Sequence, residues 1–492
     1  MWKRIKPVRE EILALSVRPR MIAAYLGRLM LVTGLLMLAP ALFALLAPGW
    51  SGVWQYGLTA LMLIGLGHGL QRYVLLHKKD VLQANEAMVI VALIFILTPV
   101  IFAIPMSANG VGYLAAFFQV VSDITTTGME VLPKGQLPIS FWLTSAWLQW
   151  IGGLGITVLS LGLVSSQVLN IRRLSGVLDG DSQQQQVQLT DYVRNVLIVY
   201  LILTVLTFFA LLIAGQSAVQ SAIFAMAAVA TGWCAPARIG INDYSGAVQL
   251  IIALASMSGA VTIGSYLLLS RNRWRDFLRD VELRLLLLFI FIGTLVLGVS
   301  LYFSGIPIGN AFFKAFLLAT SAQTTAGFSP LDLNMVSGFA LVILIVLMFI
   351  GGSVGSTAGG IKLVRAWLSL KIVAYLIRST RMSVHVVNPL RMEGRTVPAS
   401  VLLNTLAIVM LTLMVMTLSW LAFLVSGYPA LPGLFNVVSA MSTAGLSVGV
   451  LNVSTPVALK LVLCADMLFG RLEFVALLVL LAPRTWFGRR LR

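Results

Sequence analysis

Apolar residues in this chain come in long blocks rather than in alternation. Crossing about 30 Å of hydrocarbon takes about 20 helical residues. Blocks of that length lie at roughly 21–47, 53–76, 85–105, 140–166, 193–215, 246–270, 285–305, 335–376, 399–426 and 456–482. They predict about ten membrane-spanning helices. Between alternate pairs lie shorter stretches at 111–130, 217–234, 308–328 and 430–446. Each opens with small and apolar residues at helical spacing and ends in a glycine-containing tetrad. A stretch of this length flanked by two spans predicts a re-entrant short helix and loop.

The tetrads are Thr126-Thr127-Gly128-Met129, Ala230-Thr231-Gly232-Trp233, Thr325-Ala326-Gly327-Phe328 and Thr443-Ala444-Gly445-Leu446. A unit of span, short helix, tetrad and span therefore occurs four times, after two extra spans. The expected fold is an all-α polytopic membrane protein with four such repeats in pseudo-fourfold arrangement plus two extra N-terminal transmembrane helices. The divisions expected are a basic N-terminus at 1–20, the extra helices at 21–80, and repeats at 81–173, 174–275, 276–395 and 396–492.

Composition removes the soluble alternatives. Of 492 residues, 59% are hydrophobic and 10% charged, against about 25% charged in soluble proteins; mean hydropathy is +0.96. The net charge of +17 raises the question of nucleic acid. However, the basic residues cluster at 3–20, 72–79, 172–173, 271–284, 362–395 and 484–492, between the apolar blocks. That is the positive-inside pattern, which places both termini in the cytosol. No nucleic-acid-binding motif accompanies any cluster. The two cysteines, Cys234 and Cys464, form no redox or disulfide framework, and His68, His77 and His385 are too scattered to ligate a metal. The first apolar run lacks a cleavage site of the secretory kind.

A monovalent cation entering a membrane must exchange its hydration shell for protein oxygens. Backbone carbonyls supply them without fixed anions that would trap the ion. Glycine permits the dihedrals that aim carbonyls inward, and an adjacent threonine adds a hydroxyl. One such tetrad is as easily a packing site. Four copies around an axis make a ring.

The block 335–376 is too long for one helix and is broken by Gly351-Gly352-Ser353-Val354-Gly355-Ser356-Thr357-Ala358-Gly359-Gly360. Two readings stand: a kinked packing helix, or a loop below the ring that gates it. The phosphate-binding pattern G-x-x-x-x-G-K-[ST] is not matched. Arg471 lies in the last span, where a charge costs about 2.5–3.5 kcal/mol on insertion scales. It either staples helices with Asp466 or Glu473 or faces the pore. Lys362 suits an inside-end snorkelling residue better than a gate. Asp123, Glu130, Asp243 and Asp332 lie near exterior loop ends, either concentrating cations or simply solvated; Lys134 and Arg238 partly offset them, and Asp123 stands apart as a charge inside the first short apolar helix, where it needs a reason. Gln183 to Gln186 form a low-complexity run.

Together these features resemble the Trk/Ktr/HKT superfamily of potassium transporters, specifically the bacterial Trk-type pore-forming subunit, over essentially the whole chain. The resemblance is carried by Thr125-Thr126-Thr127-Gly128, Thr324-Thr325-Ala326-Gly327-Phe328, Trp150-Ile151-Gly152-Gly153-Leu154-Gly155 and, most specifically, Gly351 through Lys362. It implies that Gly128, Gly232, Gly327 and Gly445 line a potassium filter, potassium being favoured because all four are glycine. In the plant branch, serine in place of the first glycine goes with sodium. It also implies that the 351–360 loop and Arg471 form the gate. The second loop departs from the family in reading Thr231-Gly232-Trp233-Cys234, which places Trp233 to reshape the filter's outer edge. The resemblance further implies a homodimer in the bacterial inner membrane, with a peripheral cytosolic nucleotide-binding ring as partner. The chain carries no nucleotide site of its own. The expected function is gated potassium uptake, with potassium symport coupled to protons or sodium as the alternative. A membrane enzyme finds no catalytic constellation in the sequence, and a non-conducting sensor would show no flux.

Overall fold

The computed structural model describes residues 16–45, 52–73, 83–132, 137–164, 185–234, 241–270, 272–380, 391–392 and 395–487. Much of the basic sequence lies outside them, as do Gln183, Gln184, Lys134, Arg238, His77 and His385. In chain order the helices are α1 (Pro19–Leu36), α2 (Leu38–Ala44), α3 (Val53–Tyr73), α4 (Ala84–Ser107), α5 (Tyr113–Ile124), α6 (Ile139–Val164), α7 (Gln185–Ile213), α8 (Ala218–Val229) and α9 (Gly246–Ala260). They continue as α10 (Tyr266–Ser270), α11 (Trp274–Arg279), α12 (Val281–Phe303), α13 (Ile308–Gln323), α14 (Gly338–Ile350) and α15 (Leu363–Ser379). The last are α16 (Ala399–Val425), α17 (Ala430–Met441), α18 (Val457–Arg471), α19 (Val475–Leu481) and α20 (Pro483–Phe487). A two-residue antiparallel hairpin, Arg391–Met392 with Arg395–Thr396, holds the only strands among the described residues.

Each of the ten apolar blocks contains helix among its described residues. Five helical stretches among the described residues are long and apolar enough to cross a membrane, and a sharply bent pair makes a sixth. The all-α polytopic fold class holds. Four blocks are not single helices; the first, 21–47, is divided at Met37 between α1 and α2. Block 335–376 is interrupted between α14 and α15, where the sequence put its glycines. Block 246–270 bends by 88° after α9. Here Thr262 turns its hydroxyl to within 2.8 Å of Val354 O and 2.9 Å of Glu282 Oε2, tying the bend to the interrupted segment. Block 456–482 breaks after Arg471, with Glu473 and Phe474 at φ of 52° and 64°.

The short helices α5, α8 and α17 have 12 residues each and α13 has 16. At about 1.5 Å per residue none can cross. In the last three repeats the turn into the short helix uses left-handed glycines at Gly215, Gly305 and Gly427. At each, the following amide closes back on the preceding helix, as in Gln216 N to Leu211 O at 3.1 Å, satisfying carbonyls that the helix end leaves without an intrahelical partner.

Packing divides the chain into two compact units, 1–117 with 138–144 and 472–492, and 118–137 with 145–471. In the first, α1 and α3 approach through Gly27 and Gly67, where a Cβ on Gly27 would lie 3.1 Å from the Gly67 carbonyl. Arg18 Nε meets Glu86 Oε1 at 2.8 Å, and Val17, Ile22, Val89 and Ile90 pack with Leu480 and Trp486, joining the two ends of the chain.

The second unit holds the four loops. Its long helices press glycines onto the last carbonyl of the short helix before them. A Cβ on Gly152 would collide with Ile124 O, on Gly259 with Val229 O, and on Gly470 with Met441 O. Around the interrupted segment, Ala260, Leu283, Leu286, Ile290, Ala358 and Leu363 form one apolar core. Gly152→Leu is therefore expected to destabilise the protein by about 3 kcal/mol through overpacking against immovable backbone. Gly155→Ala, which meets nothing within 4 Å, should leave the melting temperature of the detergent-solubilised protein unchanged. Equal melting temperatures for the two variants would contradict this packing.

Candidate ion-conduction site

Four short helices end in the same way. After α5, α8, α13 and α17 the second residue is a threonine in the left-handed region: Thr126, Thr231, Thr325 and Thr443, at φ of 58°, 52°, 55° and 52°. Each donates its amide three residues back, and the next amide reaches five back. Thr126 N to Asp123 O and Thr127 N to Ser122 O are both 2.8 Å, and the other three helices repeat the pair from Thr231 and Gly232, Thr325 and Ala326, and Thr443 and Ala444. This double closure is ordinarily made with glycine, as it is at Gly215, Gly305 and Gly427. A β-branched residue there costs of order 1–3 kcal/mol, so the side chain has a use. Thr126 Oγ1 and Thr443 Oγ1 are buried with no hydrogen-bond partner among the described residues. Thr325 Oγ1 accepts from Gly359 N at 2.8 Å.

The threonines fix the register, and in one loop it differs from the tetrad alignment. Two residues beyond them stand Gly128, Gly327 and Gly445, all at positive φ, but in the second loop that place belongs to Trp233. Gly232 sits one position earlier, level with Thr127, Ala326 and Ala444. Its lack of a side chain makes room for Gln149 Oε1, which a Cβ would meet at 2.6 Å, and for Thr126 O at 3.0 Å.

The loops touch in cyclic order. A Cβ on Gly128 would meet Trp233 N at 2.7 Å; one on Gly327 would collide with Ala444 O and meet Trp233 Cβ at 3.3 Å; one on Gly445 would collide with Thr127 O. First to second, second to third, third to fourth and fourth to first, the ring closes. Four helix C-termini, the negative ends of their dipoles, converge on it.

Behind the first loop lies a buried polar cluster that the sequence did not reveal. Asp123 accepts from Gln119 Nε2 at 3.1 Å, Gln149 Nε2 at 3.0 Å and Ser145 Oγ at 2.6 Å. It is fully buried, so it anchors the loop and does not face the exterior solvent. The available signal was a glutamine, Gln149, in the middle of an apolar span. Asp243 and Asp332 are exposed, and Asp332 caps a turn through Asn334 N at 3.0 Å.

The segment from Gly351 to Lys362 lies against three of the four loops. Thr357 Oγ1 is 3.1 Å from Val229 O and 3.0 Å from Gly259 O. Gly359 N reaches Thr325, and a Cβ on Gly359 would collide with Ser442 O and meet Thr443 Oγ1. Gly351 O accepts from Gln323 Nε2 at 2.5 Å, and Ser353 N donates to Ala260 O at 3.1 Å. Gly352, Gly355, Ser356 and Gly360 complete the buried or nearly buried turn structure. Lys362 does not snorkel outward: it is buried and its ammonium donates back to Ala358 O.

Arg471 is 3% exposed and ends α18. Nη1 donates to Thr357 O at 2.6 Å and Nη2 to Gly152 O at 3.3 Å. It thus joins the fourth repeat to the interrupted segment and to the first repeat. Asp466 accepts from Ser419 Oγ at 2.7 Å on α16. Cys234 and Cys464 are buried and form no disulfide among the described residues, which also contain no cluster of metal-ligating side chains.

Fold and site define a polytopic membrane protein with four re-entrant loops closed in a ring. The family model described as TrkH, cation transport protein, matches residues 59–242 and 246–486. The chain belongs to that family. The Trk system potassium uptake protein TrkH of Escherichia coli is 29% identical, covering 95% of this chain and 99% of its own. The Salmonella typhimurium protein of that name is 30% identical over 83% of this chain and 87% of its own. The crystal structure of the potassium transporter TrkH from Vibrio parahaemolyticus superposes with a TM-score of 0.85 at 25% identity, covering 96% of this chain and all of that one.

Asp123→Ala strands two amides and a hydroxyl in a buried site, and hydrogen bonds to a charged group are worth about 1.5–3 kcal/mol. The variant should melt well below the parent, whereas Asp243→Ala should shift by no more than about 0.5 kcal/mol. Similar melting curves for the two would count against the anchoring role.

Proposed function

We propose that this chain is a potassium uptake protein of the bacterial inner membrane, with both termini cytosolic. In this reading potassium passes through the ring as the transported ion, driven by the membrane potential. The observation that carries it is the cyclic closure of four short helices whose C-termini each end in a left-handed threonine. The helix dipoles favour a cation there, and the loop carbonyls and the Thr126 and Thr443 hydroxyls are oxygens able to replace its hydration shell. Gly128, Gly327 and Gly445, with Thr126, Thr127, Thr231, Gly232, Thr325 and Thr443, form the filter.

The segment at 351–360 and Arg471 act as the gate beneath it. Support comes from the segment's contacts with the ends of three loops, and from a guanidinium held at its centre by the Thr357 carbonyl. A fixed positive charge there repels cations until the segment moves. Potassium symport coupled to protons or sodium is the alternative, and it draws on Asp466, a buried acid in α18. Reversal potentials that follow pH or sodium would favour it. The family resemblance supports a homodimer with a cytosolic nucleotide-binding regulatory partner, and a role in transport rather than catalysis.

Two measurements test this reading. Gly128→Ser strains a left-handed position and pushes on the Trp233 backbone; it should reduce potassium-limited growth of an uptake-deficient strain. The transport rate should fall roughly tenfold or more, the equivalent of about 1.4 kcal/mol. Unchanged growth would remove the filter assignment. Arg471→Ala in liposomes should give a potassium leak several-fold above the parent, and an unchanged leak would remove the gate assignment.

A further inference from the structure

The ring is not fourfold at its glycine level, and the exception has its own supports. Trp233 keeps a negative φ where Gly128, Gly327 and Gly445 stand at 69°, 84° and 77°. Its indole stacks on Phe224 of α8, with centroids 5.8 Å apart and planes within 6°, and leans on Phe328 of the third loop at 6.1 Å. Tyr244 closes on the far edge of Phe224 at 5.1 Å. The Trp233 carbonyl accepts from Gln149 Nε2 at 3.0 Å, and the same amide group is held by Asp123. The second quarter is thus clamped on both sides, by aromatic packing on the side chain and by a buried amide on the carbonyl.

We infer that Trp233 is the residue that sets this protein's discrimination between potassium and sodium, by holding one quarter of the ring in a backbone conformation the other three do not share. The inference rests on the filter reading given above. A carbonyl engaged by an amide donor offers less negative potential to a cation than one that is not. The turn at negative φ also orients the preceding peptide differently from a left-handed glycine. Discrimination between alkali cations depends on the number and field strength of the coordinating carbonyls. With one quarter altered, this level of the ring is a weaker selector than a complete one. The parent protein therefore admits sodium more readily than a ring of four glycines would.

The experiment is the potassium-to-sodium permeability ratio, from reversal potentials of purified protein in liposomes or planar bilayers. Trp233→Gly restores the missing glycine and should raise the ratio by about threefold or more, whereas Trp233→Phe keeps both the aromatic clamp and the negative φ and should stay within about twofold of the parent. A Trp233→Gly protein that conducts potassium with the parent's ratio overturns the inference and leaves the uptake reading intact. So does Trp233→Phe shifting as far as Trp233→Gly. A parent that passes no potassium overturns the uptake reading instead, and this inference with it. Should Trp233→Gly fail to fold, Gln149→Met removes the donor from the Trp233 carbonyl and should raise the same ratio; an unmoved ratio overturns the inference.

Discussion

Four short helices end side by side in the interior of the protein, where their last carbonyls are buried. That constraint shapes everything around the site. Each helix solves it by folding its next two amides back onto itself, which forces the second residue into the left-handed region. Glycine does this at no steric cost, and the chain uses it at Gly215, Gly305 and Gly427. At the four inner ends it accepts strain and places threonine instead. The same closure then delivers the following residues, still extended, to the centre.

The neighbouring elements serve that arrangement. Gly152, Gly259 and Gly470 let long helices press against the last carbonyl of each short one, so the ends are held by backbone contact. The interrupted segment between α14 and α15 would be unaffordable in lipid. It persists because Ala260, Gly259, Glu282 and Thr325 take up its amides, and Arg471 and Gln323 its carbonyls. Within this unit the segment shares partners with the loops themselves, so a displacement of one is felt by the other. This is the physical basis for coupling a gate to a filter.

Much of this was legible in the sequence. Blocks of about 20 apolar residues located the helices because length and hydropathy alone decide a span. The glycine run at 351–360 located the interruption for the same kind of reason. The breaks after Ala260 and Arg471 were not legible: Thr262 and Gly264 at the one, and Gly470, Arg471 and Glu473 at the other, do not by themselves end a span, and both bends depend on tertiary partners. The register of the second loop was missed because glycine was taken as the anchor of the repeat, and Thr231-Gly232 resembles Thr127-Gly128 and not its true counterpart, Thr126-Thr127. The invariant column is Thr126, Thr231, Thr325 and Thr443. Asp123 stood out in the sequence as a charge inside a short apolar helix, but its role as a buried anchor depends on the placement of Gln119, Ser145 and Gln149 around it.

The central claim is that one cation site lies inside the ring formed by the four loops. Crystals of the purified protein grown with rubidium, an electron-dense stand-in for potassium, test it most directly. Anomalous difference density should lie on the axis between the Thr126, Thr231, Thr325 and Thr443 loops. Rubidium bound elsewhere with no density inside that ring would contradict the account.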